Sequence, residues 1–349
     1  MLNFRSTGIV SAKLAFSLLC ALPLQAQGPS VRLGSEIPAE VDSIYERGLT
    51  YLASTQDKDG SWRGRNELGV SGLCLMAFLA SGEDPNFGRY RRNVRLAIQS
   101  IISAQDENGF YPNSMYHHGF AMLALAEAYG AVDESSLWNG VDPKKKKKSI
   151  AESLEKAIEL ARSSQKNNKW GAWRYSPSAT DADTSVAGAV LMGLLACRNA
   201  GLAVPDEAIE NAINYMKRNT ATSGFVAYSG GLGGGGESMA RSSVAALVYS
   251  VSHHKETEEY KSVIEHITGK LEHEETGHRH YFLYYMAQAL FQGDYDSWVQ
   301  WNRKTARMLS ETQSDDGSFT GSYGDAYGTS MSLLALALNY KFLPIYERF

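Results

Sequence analysis

The stretch RGLTYLASTQDKDGSW at residues 47–62 constrains the fold more than any other feature, because it recurs. QDENGFY (105–111) and QSDDGSF (313–319) keep the Gln, the Gly and the aromatic at the same spacing. QKNNKWGAW (165–173) carries two extra residues, and NTATSGF (219–225) is a degenerate copy with Thr220 in the Gln slot. A small residue stands eight before the slot (Gly48, Ala97, Ala157, Ala212), with Thr305 fitting least. An apolar one usually stands four before it (Leu52, Ile101, Met216, Leu309), with Ala161 smaller. Both positions lie on one helix face. Each copy reads as a helix, a tight turn and an aromatic. In the turn, Gln is expected to bond the free backbone ends of adjacent helices, Asp-Gly to permit the reversal, and the aromatic to plug the gap between repeats.

The copies lie about 50 to 60 residues apart, which leaves room for two helices per unit. Amphipathic first helices are predicted over 42–56, 90–105, 149–165, 206–219, 257–272 and 295–313. More uniformly apolar second helices are predicted over 70–82, 115–130, 184–202, 242–253, 280–292 and 327–341. A helix apolar all round must be buried on most sides, whereas an amphipathic partner can face water. Six pairs, the fifth without a recognisable Gln turn, therefore make an all-α (α/α)6 toroid with inner and outer rings. An open solenoid is the alternative. Closure is preferred because the chain ends without an obvious polar cap repeat. FVAYSGG (225–231) would extend only briefly, and no sustained period-two run predicts a sheet.

Three segments are expected. Residues 1–26 read as a secretory signal, with Arg5 and Lys13 before the short apolar run LAFSLLCALPL and a small Ala26 at its end. An uncleaved anchor is the alternative. Residues 27–41 are an N-terminal lead, and 42–349 form the single toroid domain. The protein is thus expected to be exported, to the periplasm or the extracellular space. Removing Arg5 and Lys13 takes the formal charge from −4 to −6, which gives no general attraction to nucleic acid. Cys74 and Cys197 sit in apolar helical stretches and read as buried thiols, with a disulfide as the alternative. No Cys spacing suits a metal, and no cofactor motif is present. SGGLGGGGES (229–238) lacks the Gly-Lys-Ser/Thr of a phosphate loop and reads as a flap or a linker. PKKKKKS (143–149) reads as a solvated charge run, with peripheral contact to an anionic membrane as the alternative. The oligomeric state is left open.

Arg47-Gly48, Tyr51-Leu52, Gln56, Gly60 and Trp62 match in full the repeat of squalene and oxidosqualene cyclases, the QW motif. Weaker copies follow, so most of residues 42–345 resembles the prenyltransferase and squalene-cyclase repeat superfamily. WRYSPSATDADTSVAGAVLMGL (173–194), HYFLYYMAQALFQ (280–292) and YGTSMSLLALALNYKFLPIY (327–346) look like its short, exported bacterial members. The resemblance implies a terpenoid-handling toroid that binds or converts an isoprenoid or other apolar ligand in its central cavity. Class II terpene cyclases in this superfamily carry Asp-x-Asp-Asp-Thr. Here Asp181-Ala182-Asp183-Thr184 carries it incompletely: aligned on Thr184 the donor position falls on Ala182, and aligned on Asp181 the resemblance implies Asp183 as acid with Asp181 supporting it, Thr184 standing where its acidic neighbour would be. His280 matches the His-bearing helix of protein prenyltransferase β subunits. Their Asp-x-Cys partner is absent, so no metal is expected.

In a toroid the starts of all inner helices converge on one rim, which sets the candidate site. Asp183, Asp181, His280 and Glu237 are the catalytic candidates. His117, His118, Arg241, Asp325 and Tyr327 also open inner helices and are candidates for ligand contact, with Trp173, Tyr175 and Tyr284 as aromatic lining. The competing explanation is that polar residues are ordinary at helix starts, Asp183 as an N-cap above all, and that aromatics pack between helices. Two other functions fit the same residues: a non-catalytic exported binding or scaffold protein, and a glycan-active (α/α)6 enzyme using carboxylates such as Asp183 and Glu237. A deep apolar pocket would favour the cyclase-like reading, and a filled centre would favour the binding protein.

Overall fold

The computed structural model describes residues 37–62, 67–141, 148–232 and 236–346, which belong to one compact unit. The expected signal segment lies outside them, as do Pro143 to Lys147 of the lysine run and Gly233 to Gly235 of the glycine-rich stretch. Thirteen α-helices are found among the described residues. The outer ones are α1 (Ala39–Thr55), α3 (Arg91–Ala104), α6 (Ile150–Lys166), α8 (Asp206–Arg218), α10 (Glu258–Thr268) and α12 (Tyr295–Thr312). The inner ones are α2 (Leu68–Leu79), α4 (Met115–Ala128), α7 (Thr184–Asn199), α9 (Met239–Val251), α11 (Arg279–Gly293) and α13 (Asp325–Leu336). The one-turn α5 (Glu134–Leu137) sits in the insertion between the second and third pairs and was not expected.

Each inner helix packs against the next in chain order, and α13 returns to α2. The ring is closed. Every residue of α2 is buried, whereas the outer helices bury one face each. The seam is held by α12 against α1. Arg47 donates to the Ser314 carbonyl at 2.7 Å, and the Tyr340 hydroxyl donates to Asp42 Oδ1 at 3.0 Å. The expected extension at 225–231 reduces to one isolated bridge, Thr220 to Val226. Cys74 and Cys197 are both buried free thiols. Among the described residues no helix is long and apolar enough to cross a membrane.

The Gln turns work as clasps, with one correction. The side-chain amide of Gln56 donates to the Gly60 carbonyl of its own turn and to the Asn93 carbonyl, both at 3.0 Å. Gln105 does the same with Gly109 and Ser153, Gln165 with Gly171 and Ala208, and Gln313 with Gly317 and Ile44. The second acceptor is always a carbonyl in the first two turns of the next outer helix. These are interior carbonyls offering a second lone pair rather than free helix ends. The indole N–H groups of Trp62 and Trp173 donate back to Leu52 and Ala161 of the preceding outer helix, at 2.9 and 2.8 Å.

Candidate functional site

Because every pair runs outer then inner, the six inner helices are parallel, and their first turns surround one cavity of about 470 Å³. Its apolar floor includes Val70, Leu73, Phe120 and Met331. Six tyrosines form much of the wall: Tyr116, Tyr175, Tyr228, Tyr281, Tyr323 and Tyr327. Glu67, Glu237, Glu275, His117, His278 and Arg241 supply the charged and titratable groups.

The cavity does not continue down the axis of the ring. Phe120 and Tyr116 of α4 meet Tyr281, Tyr284 and Tyr285 of α11, with successive ring centroids 4.6 to 6.4 Å apart. In a ring of six, α4 and α11 stand opposite, so their side chains touch only across the axis. The centre is filled by aromatic packing, and the cavity is confined to the mouth.

The structure brings together Glu237, His117, Tyr175, Arg241 and Tyr327 from the expected set, all in the cavity lining. Glu237 is half exposed, 3.2 Å from His266 and paired with Lys270, which holds its carboxyl below the usual range. His117 lies 4.0 Å from Glu67. Arg241 donates from Nε to the Val226 carbonyl at 3.1 Å, and its guanidinium lies 5.8 Å from the Tyr228 ring centroid.

The other expected residues stand elsewhere. His118 is fully buried: its Nδ1 accepts from the Tyr111 N–H at 3.2 Å and its Nε2 lies 3.1 Å from the Ala157 carbonyl. It does for Tyr111 what Ser71 does for Trp62 and Thr329 for Phe319, holding the backbone of the clasp aromatic. Trp173 is buried in its own clasp, and Tyr284 lies in the axial packing below the cavity. Both nitrogens of His280 are engaged, with Ser332 Oγ at 2.9 Å and the Thr320 carbonyl at 3.0 Å. It ties α11 to α13 and is outside the cavity lining. Asp325, at the first turn of α13, is exposed and also outside that lining. Asp181 is exposed, paired with Arg174 at 2.9 Å, and outside the cavity lining.

Asp183 has two characters. Its Oδ1 caps α7 by accepting from the Val186 N–H at 2.8 Å, as an ordinary N-cap does. The residue is fully buried, and Oδ2 has no hydrogen-bond partner. Burial raises the carboxyl above its usual range, opposed by the Val186 N–H, the Tyr228 hydroxyl and Arg174. Asp183 is outside the cavity lining, and Tyr228, whose hydroxyl lies beside it, is part of that lining.

Sequence reasoning missed Glu67, Glu275, Tyr228 and Tyr281. Glu67 immediately precedes α2 and stands three residues before the expected helix start at 70, outside the apolar pattern. Tyr228 lay in the stretch read as a short extension, where no periodicity marks a side chain as facing a cavity. Among the described residues no group of three His, Cys, Asp or Glu side chains is arranged to hold a metal ion.

No family model matches the chain. No curated protein matches it either. Solved structures share its fold. The GH76A α-1,6-mannanase from a Salegentibacter species superposes with a TM-score of 0.61 at 12% identity, over 85% of this chain and 98% of the mannanase. An inactive variant of that enzyme, in complex with α-1,6-mannotetrose, gives 0.61 at 9% identity, over 86% and 98%. A protein from Actinoplanes gives 0.54 at 15% identity, over 86% and 99%. A type II terpene cyclase from Scytonema gives 0.35 at 14% identity, over 87% and 98%, too low to carry an argument. These likenesses establish the all-α toroid and leave the activity to the site.

Proposed function

We propose that this protein binds a carbohydrate chain in the tyrosine-walled cavity at the mouth of its toroid. One observation carries the reading: the axis is filled with aromatic side chains, and the space that remains is lined by phenols, imidazoles and carboxylates. Aromatic faces suit the apolar faces of sugar rings, and hydroxyl, carboxylate and guanidinium groups suit their hydroxyls. An isoprenoid, which the repeat resemblance led us to expect, needs a deep apolar bore, and the α4–α11 packing occupies that position. The toroid shared with an α-1,6-mannanase supports the reading only in that the architecture accommodates sugar chemistry. The exported location expected from residues 1–26 would bring the protein among extracellular glycans.

The test is a glycan array, followed by calorimetry with the best oligosaccharide. The expected result is saturable binding, weakened about tenfold or more by Tyr327→Ala and unaffected by Phe87→Ala, an exposed residue outside the cavity lining. Absence of glycan binding, together with a polyprenoid lipid retained through purification and detected by native mass spectrometry, overturns the proposal.

A further inference from the structure

In the cavity wall and just behind it lies a group of side chains that binding alone does not require. Asp183 is fully buried, and its Oδ2 has no hydrogen-bond partner. The hydroxyl of Tyr228 lies beside that carboxyl, and on the cavity side it stands 3.3 Å from the hydroxyl of Tyr175. Two guanidiniums lie over the Tyr228 ring, Arg174 at 5.5 Å and Arg241 at 5.8 Å from its centroid. The segment is pinned: the Thr184 N–H donates to the Tyr228 carbonyl at 2.9 Å, and Thr184 Oγ1 donates to the Ala227 carbonyl at 2.7 Å. The first turn of α7 thus holds the phenol and the carboxyl in one rigid unit. A buried carboxyl oxygen without a well-formed hydrogen bond costs stability, a capping role uses only the other oxygen, and the Tyr228 hydroxyl is the side-chain donor beside this carboxyl.

We infer that Tyr228 is the proton donor of a glycoside-cleaving site, with Asp183 as its proton partner. This rests on the carbohydrate reading of the cavity. In the step, the Tyr228 hydroxyl proton passes to the glycosidic oxygen, and the bond from that oxygen to the anomeric carbon breaks. When Asp183 is in its protonated form, its proton passes to the phenol oxygen as the phenol proton leaves, so no phenolate builds up beside the buried carboxyl. Water from the open mouth adds to the anomeric carbon. Glu67 takes its proton: it opens α2, which stands opposite α9 in the ring, and so faces the Tyr228 side across the cavity. Transfer of the water proton back to Asp183 closes the cycle, and the net change is hydrolysis of one glycosidic bond. Tyr228 is the catalytic residue; Asp183 acts through it and is a positioning residue.

The leaving group makes the inference testable, because a proton donor matters most when the departing oxygen is strongly basic. The probes are matched panels of dinitrophenyl and alkyl glycosides, with the full-length protein. Tyr228→Phe keeps the ring beneath both arginines. It is expected to slow alkyl glycoside hydrolysis about a hundredfold more than dinitrophenyl glycoside hydrolysis. Asp183→Asn keeps an N-cap side chain on α7 and so keeps the fold. It is expected to move the limb of the kcat/KM pH profile that reports the acid, in a setting where Arg174, Arg241, Tyr175, Tyr215 and Tyr281 also face the pair. Equal slowing of both substrate classes by Tyr228→Phe overturns the inference. So does a failure to turn over any glycoside by a protein that binds oligosaccharides, and that outcome leaves the binding function standing. Absence of both binding and turnover removes the two together.

Discussion

His118 is the residue where physical chemistry most changes an expectation. As one of two adjacent histidines at a helix start it looked like a ligand contact, but its ring is enclosed by Phe110 and Tyr111 and bonded at both nitrogens. Burial lowers its pKa from 6.5 to about 4, so the folded protein holds it neutral. The unfolded chain takes up a proton below 6.5 and the folded one does not. Stability is therefore fully present above that pH and is lost as pH falls toward 4. The difference corresponds to roughly 3 kcal/mol across the window. His118→Gln is expected to lower stability at neutral pH and to flatten its pH dependence between the two values, as read by denaturant melts. An unchanged slope would mean that other groups cause it. Asp183 differs in kind: its cap was legible from the sequence, and its unpartnered oxygen was not, because that depends on the distant loop carrying Tyr228.

At the scale of the element, the clasp explains why the repeat is spelled as it is. Gly60 has φ +87°, and a Cβ there would come within 2.1 Å of the Leu96 carbonyl oxygen on α3. The glycine is required both by its own backbone and by its neighbour's. Gly140 has φ +81°, with nothing within 4 Å of a built Cβ. Gly140→Ala is expected to cost about 1 kcal/mol, the left-handed penalty alone. Gly60→Ala should cost about 3 kcal/mol or more, because outer helices on either side of the clasp must separate. Equal melting temperatures for the two variants would contradict this account. Helix positions were read from the sequence to within a few residues, since amphipathic and uniformly apolar stretches alternate so regularly. The acceptors of the Gln amides were misjudged because a second carbonyl lone pair leaves no mark in the sequence.

Across the whole molecule, closure makes the six pairs interdependent. An open array loses one interface when a terminal pair is removed, whereas a ring also loses the seam, where Arg47, Gln313 and Tyr340 join its two ends. Truncation after Gly293, which removes α12 and α13, is expected to abolish the cooperative thermal transition, as followed by circular dichroism and calorimetry. A truncated chain that melts cooperatively near the full-length temperature would show that the seam contributes little. By itself the sequence determined the helix pairs, their inner and outer assignment and the clasp, because these follow from periodicity and short-range turn chemistry. Whether the ring is open or filled at its centre was decided only in three dimensions. That outcome depends on side chains of α4 and α11, far apart in the chain, meeting across the axis. The same holds for the site, whose walls come from six separate helix starts and the loops that lead into them: no local pattern records which of their polar groups face one another.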